Sequence, residues 1–583
     1  MSSFGGIYPS PPGSDEYKLP NGEPYHWEPF RAGAPGPLPW LPVLNFPVER
    51  GEPIVEEFEK VRPIIHRHLQ EHRIEWSDIT VLHRRPDDDI NYRTKFGSDL
   101  TLLVTAKFRF DNTWRDAIND IRETLRRNYV AELKVEFLDG KALKPQPIFP
   151  IDASDPIVPA WEQIRPEIHG ALVKCPWTCI DVVRKGKETA AGFQSPITII
   201  VTVPVDNYNL YLDEHEKLKA VCTNHGFPEV DVQIRHSPGP LWADTAISTT
   251  ASPTAATAKP ELTAQGLPDG SYNKLVKMGV SMGPSGSFEY PNGTFGGYLE
   301  LLDPNSGISR GIYGLTCYHV IEPAIPAERQ EFYRKKGIMP KDTITQNLTM
   351  TQPGHKDHLR NVLDLERRLV ASNHPKVRSE RESVEAAWHN HGKLGTVLCG
   401  SGLRRLIRDH RLDWALIKVY RERIGDNLLP DSREDWPGGS MGDRIIHEEI
   451  RESLAGKHLD AIGKLLNEDV VYKKGKSTGC RIGRFSHIKS DVRVDDEDFI
   501  STEYVFIGTE KDKSFSQGGD SGSMVFSLSG AWLGIVWGGN PFAGLTGNSY
   551  VTDSQRLVED IERSTGCRVR MPLQRSIDDP STA

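Results

Sequence analysis

Apolar and polar positions fall into three textures along the chain. Residues 1–50 have no periodicity and are rich in Pro, Gly and Ser, as in "YPSPPGSDEY" and "RAGAPGPLPWLP". That composition predicts a disordered or extended tail. The next texture is helical and repeats itself. In "PIVEEFEKVRPIIHRHL", from Pro53, the apolar positions Phe58, Val61, Ile65 and Leu69 mark one face of an amphipathic helix. They return as Trp161, Ile164, Ile168 and Leu172 in "PIVPAWEQIRPEIHGAL", from Pro156. Pro63 and Pro166 are expected to kink these helices or to mark their true start. Downstream, "TLLVTAKF" from Thr101 matches "TIIVTVPV" from Thr198, and "LKVEF" from Leu133 matches "VDVQI" from Val230. Trp114, Ala117, Ile118, Ile121 and Leu125 stripe a second helix in the first copy. Each copy reads helix, strand, strand, helix, strand: two tandem α+β repeats over 51–150 and 151–236. His66 recurs as His169 and reads as structural. A second break at 237–268, "SPGPLWADTAISTTASPTAATAKPELTAQGLP", predicts a flexible linker.

The third texture covers 269–570. Short apolar runs bounded by glycine-rich turns, such as "TFGGYLELLD", "RGIYGLTCYHVI", "LDWALIKVY", "STEYVFIGT" and "AWLGIVWGG", predict an all-β barrel. Two charged helical stretches, 326–392 and 442–466, read as insertions in surface loops. Residues 571–583 form a tail. The expected architecture is therefore multidomain.

Composition narrows the function classes. At 583 residues, the chain is too long for one core. A formal net charge of −9, with no basic block interleaved with aromatics, argues against nucleic acid as a partner. No apolar stretch reaches the roughly 18 residues of a membrane span, and the N-terminus lacks the pattern of a secretory signal. Seven scattered cysteines do not make a disulfide framework. Cys175 and Cys179 lack a second ligand pair, so neither a metal nor another cofactor is expected. The expected location is intracellular, cytoplasmic or nuclear.

The chemistry concentrates in "SFSQGGDSGSMVF", Ser514 to Phe526. A serine hydroxyl is a weak nucleophile and needs a base, an orienting acid and oxyanion donors. The glycines around Ser521 let the N–H groups of Gly519 and Ser521 point at one spot. His319, closing the strand of "GIYGLTCYHVIEPA", is the candidate base, whereas His355, His358, His389 and His391 lie in charged sequence that predicts solvation. Asp413, heading the buried run of "RLDWALIKVY", is the candidate acid. "GGSMG" around Ser440 matches a hydrolase elbow but lacks the preceding strand.

With "LTCYHV", "DWALIKV" and "GGDSGSMV" in the order His, Asp, Ser, residues 269–570 resemble the chymotrypsin-like (trypsin-fold) serine peptidases. The resemblance implies a double β-barrel, a triad of His319, Asp413 and Ser521, and an oxyanion hole at Gly519 and Ser521. It also implies that Val536, Trp537 and Gly538 line the primary pocket, with Phe515 at its floor in place of an acid. An apolar or small P1 residue follows. "GKSTGCRIG", Gly475 to Gly483, is similar to the strand pair preceding the nucleophile loop in bacterial and fungal members. No activation-cleavage sequence is found near 269–290. The expected function is a serine endopeptidase acting on proteins or peptides. The alternative is a catalytically silent peptide-binding or regulatory protein of the same fold. The repeats are candidates for a regulatory or protein-interaction module, and restraint by them predicts that removing 1–268 raises turnover.

Overall fold

The computed structural model describes residues 18–573 apart from 40–42, 49–51, 87–98, 109–111, most of 140–147, 186–194, 205–210, 237–269, 287–289, 432–435, 437–451, 494–498, 510–513, 542–546 and a few single positions. The expected linker and Ser440 lie outside the described residues. Among those described, no helix is long and apolar enough to cross a membrane.

The apolar stripes become helices. Pro53–Glu71 buries Ile54, Phe58, Val61, Ile65 and Leu69, and Ile157–Ala171 buries Ile157, Trp161, Ile164 and Ile168. Both run through their internal prolines, so neither Pro63 nor Pro166 marks a start. Pro53 sits in the first turn of its helix, where its missing N–H has no helical partner to lose. Helix, strand, strand, helix, strand follow in order over 53–138, and again over 157–236.

The two units differ at their sheet edges. The first contributes to a six-stranded sheet whose outer strands are His26–Glu28, Arg31–Ala34 and Val43–Pro47. The tail expected over 1–50 is therefore ordered sheet in much of its described part. Arg31 ion-pairs with the buried Glu136 at 2.8 Å, Glu23 pairs with Arg122 at 2.6 Å, and Leu19, Tyr25, Ala32, Ala34 and Leu38 are buried. Those partners lie a hundred positions away, so local composition does not reveal them. The second unit continues into the C-terminal half. Its Cys179–Lys185 strand pairs with Gly479–Arg493, Ile180 opposite Asp491 and Cys179 opposite Val492.

The C-terminal half holds two curled antiparallel sheets. In the eight-stranded sheet, Gly296 N–H donates to the Leu315 carbonyl, which brings the first strand, Gly293–Phe295, back onto Ser309–Thr316. The other sheet closes on itself through Val470–Gly475, Met524–Phe526, Ala531–Pro541, Gly547–Asp553, Ile500–Gly508 and Gly479–Arg493. Helices Ala327–Lys336, His355–Ser372 and Pro375–His391 fill the first predicted insertion. Of the helix expected over 442–466, residues up to 451 lie outside the described residues, 452–454 are helical, and the helix does not continue beyond them. Gly456 adopts φ 67°, Ala461–Ile462 pairs in parallel with Ala531–Trp532, and Leu459 and Leu465 bury in different core clusters.

Candidate active site

Strand register brings the first two candidates together. Ser309–Thr316 runs antiparallel to Ala415–Val419 with Thr316 opposite Ala415, so residues just after 316 lie beside those just before 415. Asp413, fully buried, grips His319 twice: Oδ1 accepts the backbone N–H at 3.1 Å and Oδ2 lies 2.5 Å from Nδ1. A proton on Nδ1 makes Nε2 the acceptor nitrogen of a neutral imidazole.

Ser521 comes from the second barrel, and Thr294 and Val536 hold its turn, while His319 lies in the helical turn Tyr318–Ile321 just past the Ser309–Thr316 strand. Thr294 N–H donates to the Ser521 carbonyl at 2.8 Å, and the Thr294 hydroxyl donates to the Gly519 carbonyl at 2.9 Å. The Val536 carbonyl accepts from both Gly522 N–H, at 2.8 Å, and the Cys317 thiol, at 3.4 Å. Gly522, at φ 96°, is the position of closest approach: a Cβ there would meet the Thr294 carbonyl and, at 2.6 Å, the Thr316 hydroxyl. The Ser521 hydroxyl itself donates to the Trp537 carbonyl at 3.1 Å. Ser521 is 4 % exposed and His319 7 %.

The turn leaves two donors open. Asp520, Gly522 and Ser523 N–H groups bond to the carbonyls of Gln517, Val536 and Asp520. Among the described residues, those of Gly519 and Ser521 have no acceptor. The turn is shaped from beneath by Asp520, which is fully buried and accepts from Lys473 Nζ at 2.8 Å, Thr478 Oγ1 at 2.7 Å, Ser477 N–H at 2.9 Å and Gln517 N–H at 3.1 Å. Burial pushes the Asp520 carboxyl up, but Lys473 and these donors outweigh it and hold it below the usual range. Beside the turn, Lys476 pairs with Asp357 at 2.9 Å. Sequence reasoning missed Lys473, Lys476, Asp357 and Thr294, whose partners are far away in the chain.

The pocket candidates divide by side chain. Phe515 and Val536 share an apolar cluster with Phe506, Tyr504 and Val551, and Phe515 packs on Gly483. The Trp537 ring is fully buried, stacks on Tyr550 at 5.3 Å and donates from Nε1 to Glu503 at 3.2 Å. Gly538 lies opposite Tyr550, just past a bulge in the strand. His358, expected to be solvated, is instead 5 % exposed and stacked on Trp388 at 4.0 Å, and burial pulls its pKa down to about 4. Among the described residues, Cys317, His319 and Asp413 are the donors clustered at metal-binding spacing. Burial pushes the Cys317 thiol well up and its proton is held by the Val536 carbonyl, so it is poorly suited to serve as a thiolate ligand.

No protein family and no curated protein matches the chain. Among solved structures, it is similar to a glutamic acid specific serine protease (12 % identity, TM-score 0.26), to Thermobifida fusca Protease A (13 %, 0.26) and to a Nocardiopsis protease (12 %, 0.27). Each match covers 51 % of this chain and 100 % of the other. Likeness at this level carries no inference about chemistry.

Proposed function

We propose that the chain is a serine endopeptidase of the trypsin-like, double-barrel type, with His319, Asp413 and Ser521 as its triad. The observation that carries this reading is the double grip of Asp413 on His319, in a site where Thr294 and Val536 hold the Ser521 turn through backbone hydrogen bonds. Ser521 turns from the Trp537 carbonyl toward Nε2 of His319, which takes its proton as Oγ attacks the scissile carbonyl. Asp413 stays ionised and stabilises the imidazolium. The open N–H groups of Gly519 and Ser521 receive the oxyanion. His319 then protonates the leaving amine, and water reverses the sequence on the acyl-enzyme. Val536, Trp537 and Gly538 supply the strand beside the bound peptide, and Phe515 supports a preference for apolar or small P1 residues. Seven thiols, none in a disulfide, suit a reducing compartment.

One observation favours a second reading, a catalytically silent peptide-binding barrel: the Ser521 hydroxyl bonds to the Trp537 carbonyl. A fluorophosphonate probe separates the two. Labelling of the native chain that vanishes in Ser521→Ala supports the enzyme, and absence of labelling in a folded native chain overturns it.

A further inference from the structure

Asp181 is a buried acid that the triad chemistry does not use. It lies on the Cys179–Lys185 strand, whose two faces serve two cores. Ile180 and Val182 pack within the 151–236 unit, while Cys179 and Val183 join the cluster that contains Trp537 and Tyr550. Asp181 falls between Cys179 and Val183 on the barrel side and is fully buried. An apolar side chain would suit that surface, so the carboxylate needs another explanation.

Its partners supply one. Asp181 accepts from Asn540 Nδ2 at 2.7 Å, Asn548 Nδ2 at 2.6 Å, the Tyr550 hydroxyl at 2.9 Å and the Ser490 hydroxyl. All four donors are uncharged and all belong to the barrel. Asn540 also donates to Thr202 Oγ1 of the 151–236 unit at 2.9 Å.

Three of these partners, Asn540, Asn548 and Tyr550, sit just beyond an irregularity in the candidate substrate strand. The Ala531–Pro541 strand pairs normally up to Val536 opposite Val551, then slips by a bulge and resumes with Gly538 opposite Tyr550. The bulged residue is Trp537, followed by Gly538 and Gly539, so this stretch has a local kink and, past the buried Trp537 ring, two positions without side chains to hold its register. Asp181 binds both strands beyond the bulge, at Asn540 on one and at Asn548 and Tyr550 on the other. The chain of contacts runs from Asp181 to Tyr550, from Tyr550 to the Trp537 ring, and from the Trp537 carbonyl to Ser521.

The other unit offers an internal contrast. Ile200, opposite Asp181, corresponds in the matched strand sequences to Leu103, which lies opposite Thr80. Thr80 is half-buried, and among the described residues its sheet pairs with no strand of the C-terminal half. The acid stands only in the copy that docks.

We infer that Asp181 is a positioning residue of the active site, a carboxylate donated by the N-terminal half to fix the Trp537–Asn540 segment on which the substrate backbone lies. This rests on the peptidase reading above. Peptide binding then requires the 151–236 unit as part of the site.

The test uses the full-length chain. Asp181→Asn keeps the shape but turns one acceptor into a donor facing other donors. Expected is a fall of about thirtyfold in kcat/KM on peptides, carried mainly by KM, with fluorophosphonate labelling of Ser521 within about threefold of native. The exchange Asp181→Asn with Asn548→Asp restores an acceptor to the cluster and should recover most of the KM loss. If Asp181→Asn does not fold, Asn540→Ser is read by the same two assays, with the same split expected. A folded variant with native KM overturns the inference, as does equal loss of labelling and turnover. A native chain that takes no label overturns the peptidase reading and this inference with it, whereas a labelled native chain with indifferent variants overturns this inference alone.

Discussion

Replacing Lys473 by methionine tests what holds the Ser521 turn in shape. Lys473 and Asp520 are both fully buried, with Nζ 2.8 Å from Oδ2. Methionine fills similar volume but leaves Asp520 charged with no cation beside it. Breaking one side of a buried pair costs about 3–5 kcal/mol. Four donors remain on Asp520, from Thr478 Oγ1 and the N–H groups of Gln517, Ser477 and Thr478. They place the expected loss at the lower end, about 3 kcal/mol at neutral pH.

The sign with pH follows from the same contacts. In the native chain Asp520 is held below its ordinary range, so its contribution is present above that range and fades as pH falls through the folded value. In Lys473→Met, burial acts without the cation and raises the carboxyl, so the cost is greatest at neutral pH and protonation relieves it. Urea unfolding followed by tryptophan fluorescence should show the gap between native and variant narrowing by at least half between about pH 7 and pH 5. Lys473→Met with Asp520→Asn removes both charges and should recover most of the loss at pH 7. A Lys473→Met chain within about 1 kcal/mol of native at pH 7, or a deficit independent of pH, refutes the account.

Asp413→Asn keeps the size of the acid but loses the carboxylate that fixes the His319 tautomer, and fluorophosphonate labelling should fall by about four orders of magnitude in a chain that still melts cooperatively. Gly475→Ala would press a methyl group against Asp520 Oδ1 and, at 2.6 Å, against Ser523 Oγ; the urea midpoint should drop by the equivalent of about 1–3 kcal/mol. Six of the seven cysteines are buried and Cys567 is partly exposed, so a thiol reagent should titrate Cys567 alone in the native chain and all seven after unfolding. A chain beginning at residue 269 would bare the core surface now covered by Ile148, Cys179, Val183 and Ile200; it should aggregate, and soluble protein with raised turnover would instead support restraint by the N-terminal half.

What the sequence made legible was whatever local pattern determines. The positions of His319 and Asp413 could be read because each closes or opens a short apolar run, and the Thr316–Ala415 register then makes them neighbours. The glycines around Ser521 were legible for the same reason. Lys473 was not: it sits beside Lys474 in "VVYKKG", and only the alternation of a strand whose facing is unknown in advance decides which lysine turns inward. The ordered strands within 26–47 were hidden by their Pro- and Gly-rich context, because their order depends on Glu136 and Arg122 far downstream. The end of the helix expected over 442–466 shows the converse, since beyond the helical residues 452–454 the helix-forming sequence is overridden by Gly456 and by pairing with Ala531–Trp532.

Four acids buried around the candidate site differ in which part of the chain supplies their partners. Asp413 faces an imidazole, Asp520 faces Lys473 and Asp357 faces Lys476. Each of these pairs joins residues of the C-terminal half, so each can form without the 151–236 unit. Asp181 has no cation among its bonded partners: burial pushes its carboxyl up while four neutral barrel donors pull it down. Apart from the barrel, that carboxylate would be hydrated by water. Docked, it is satisfied only when Ser490, Asn540, Asn548 and Tyr550 all reach it in one register. A misdocked or slipped strand would leave a buried acid short of donors, a large penalty that an apolar contact at the same place would not impose. The arrangement therefore selects one geometry for the strand beside Ser521.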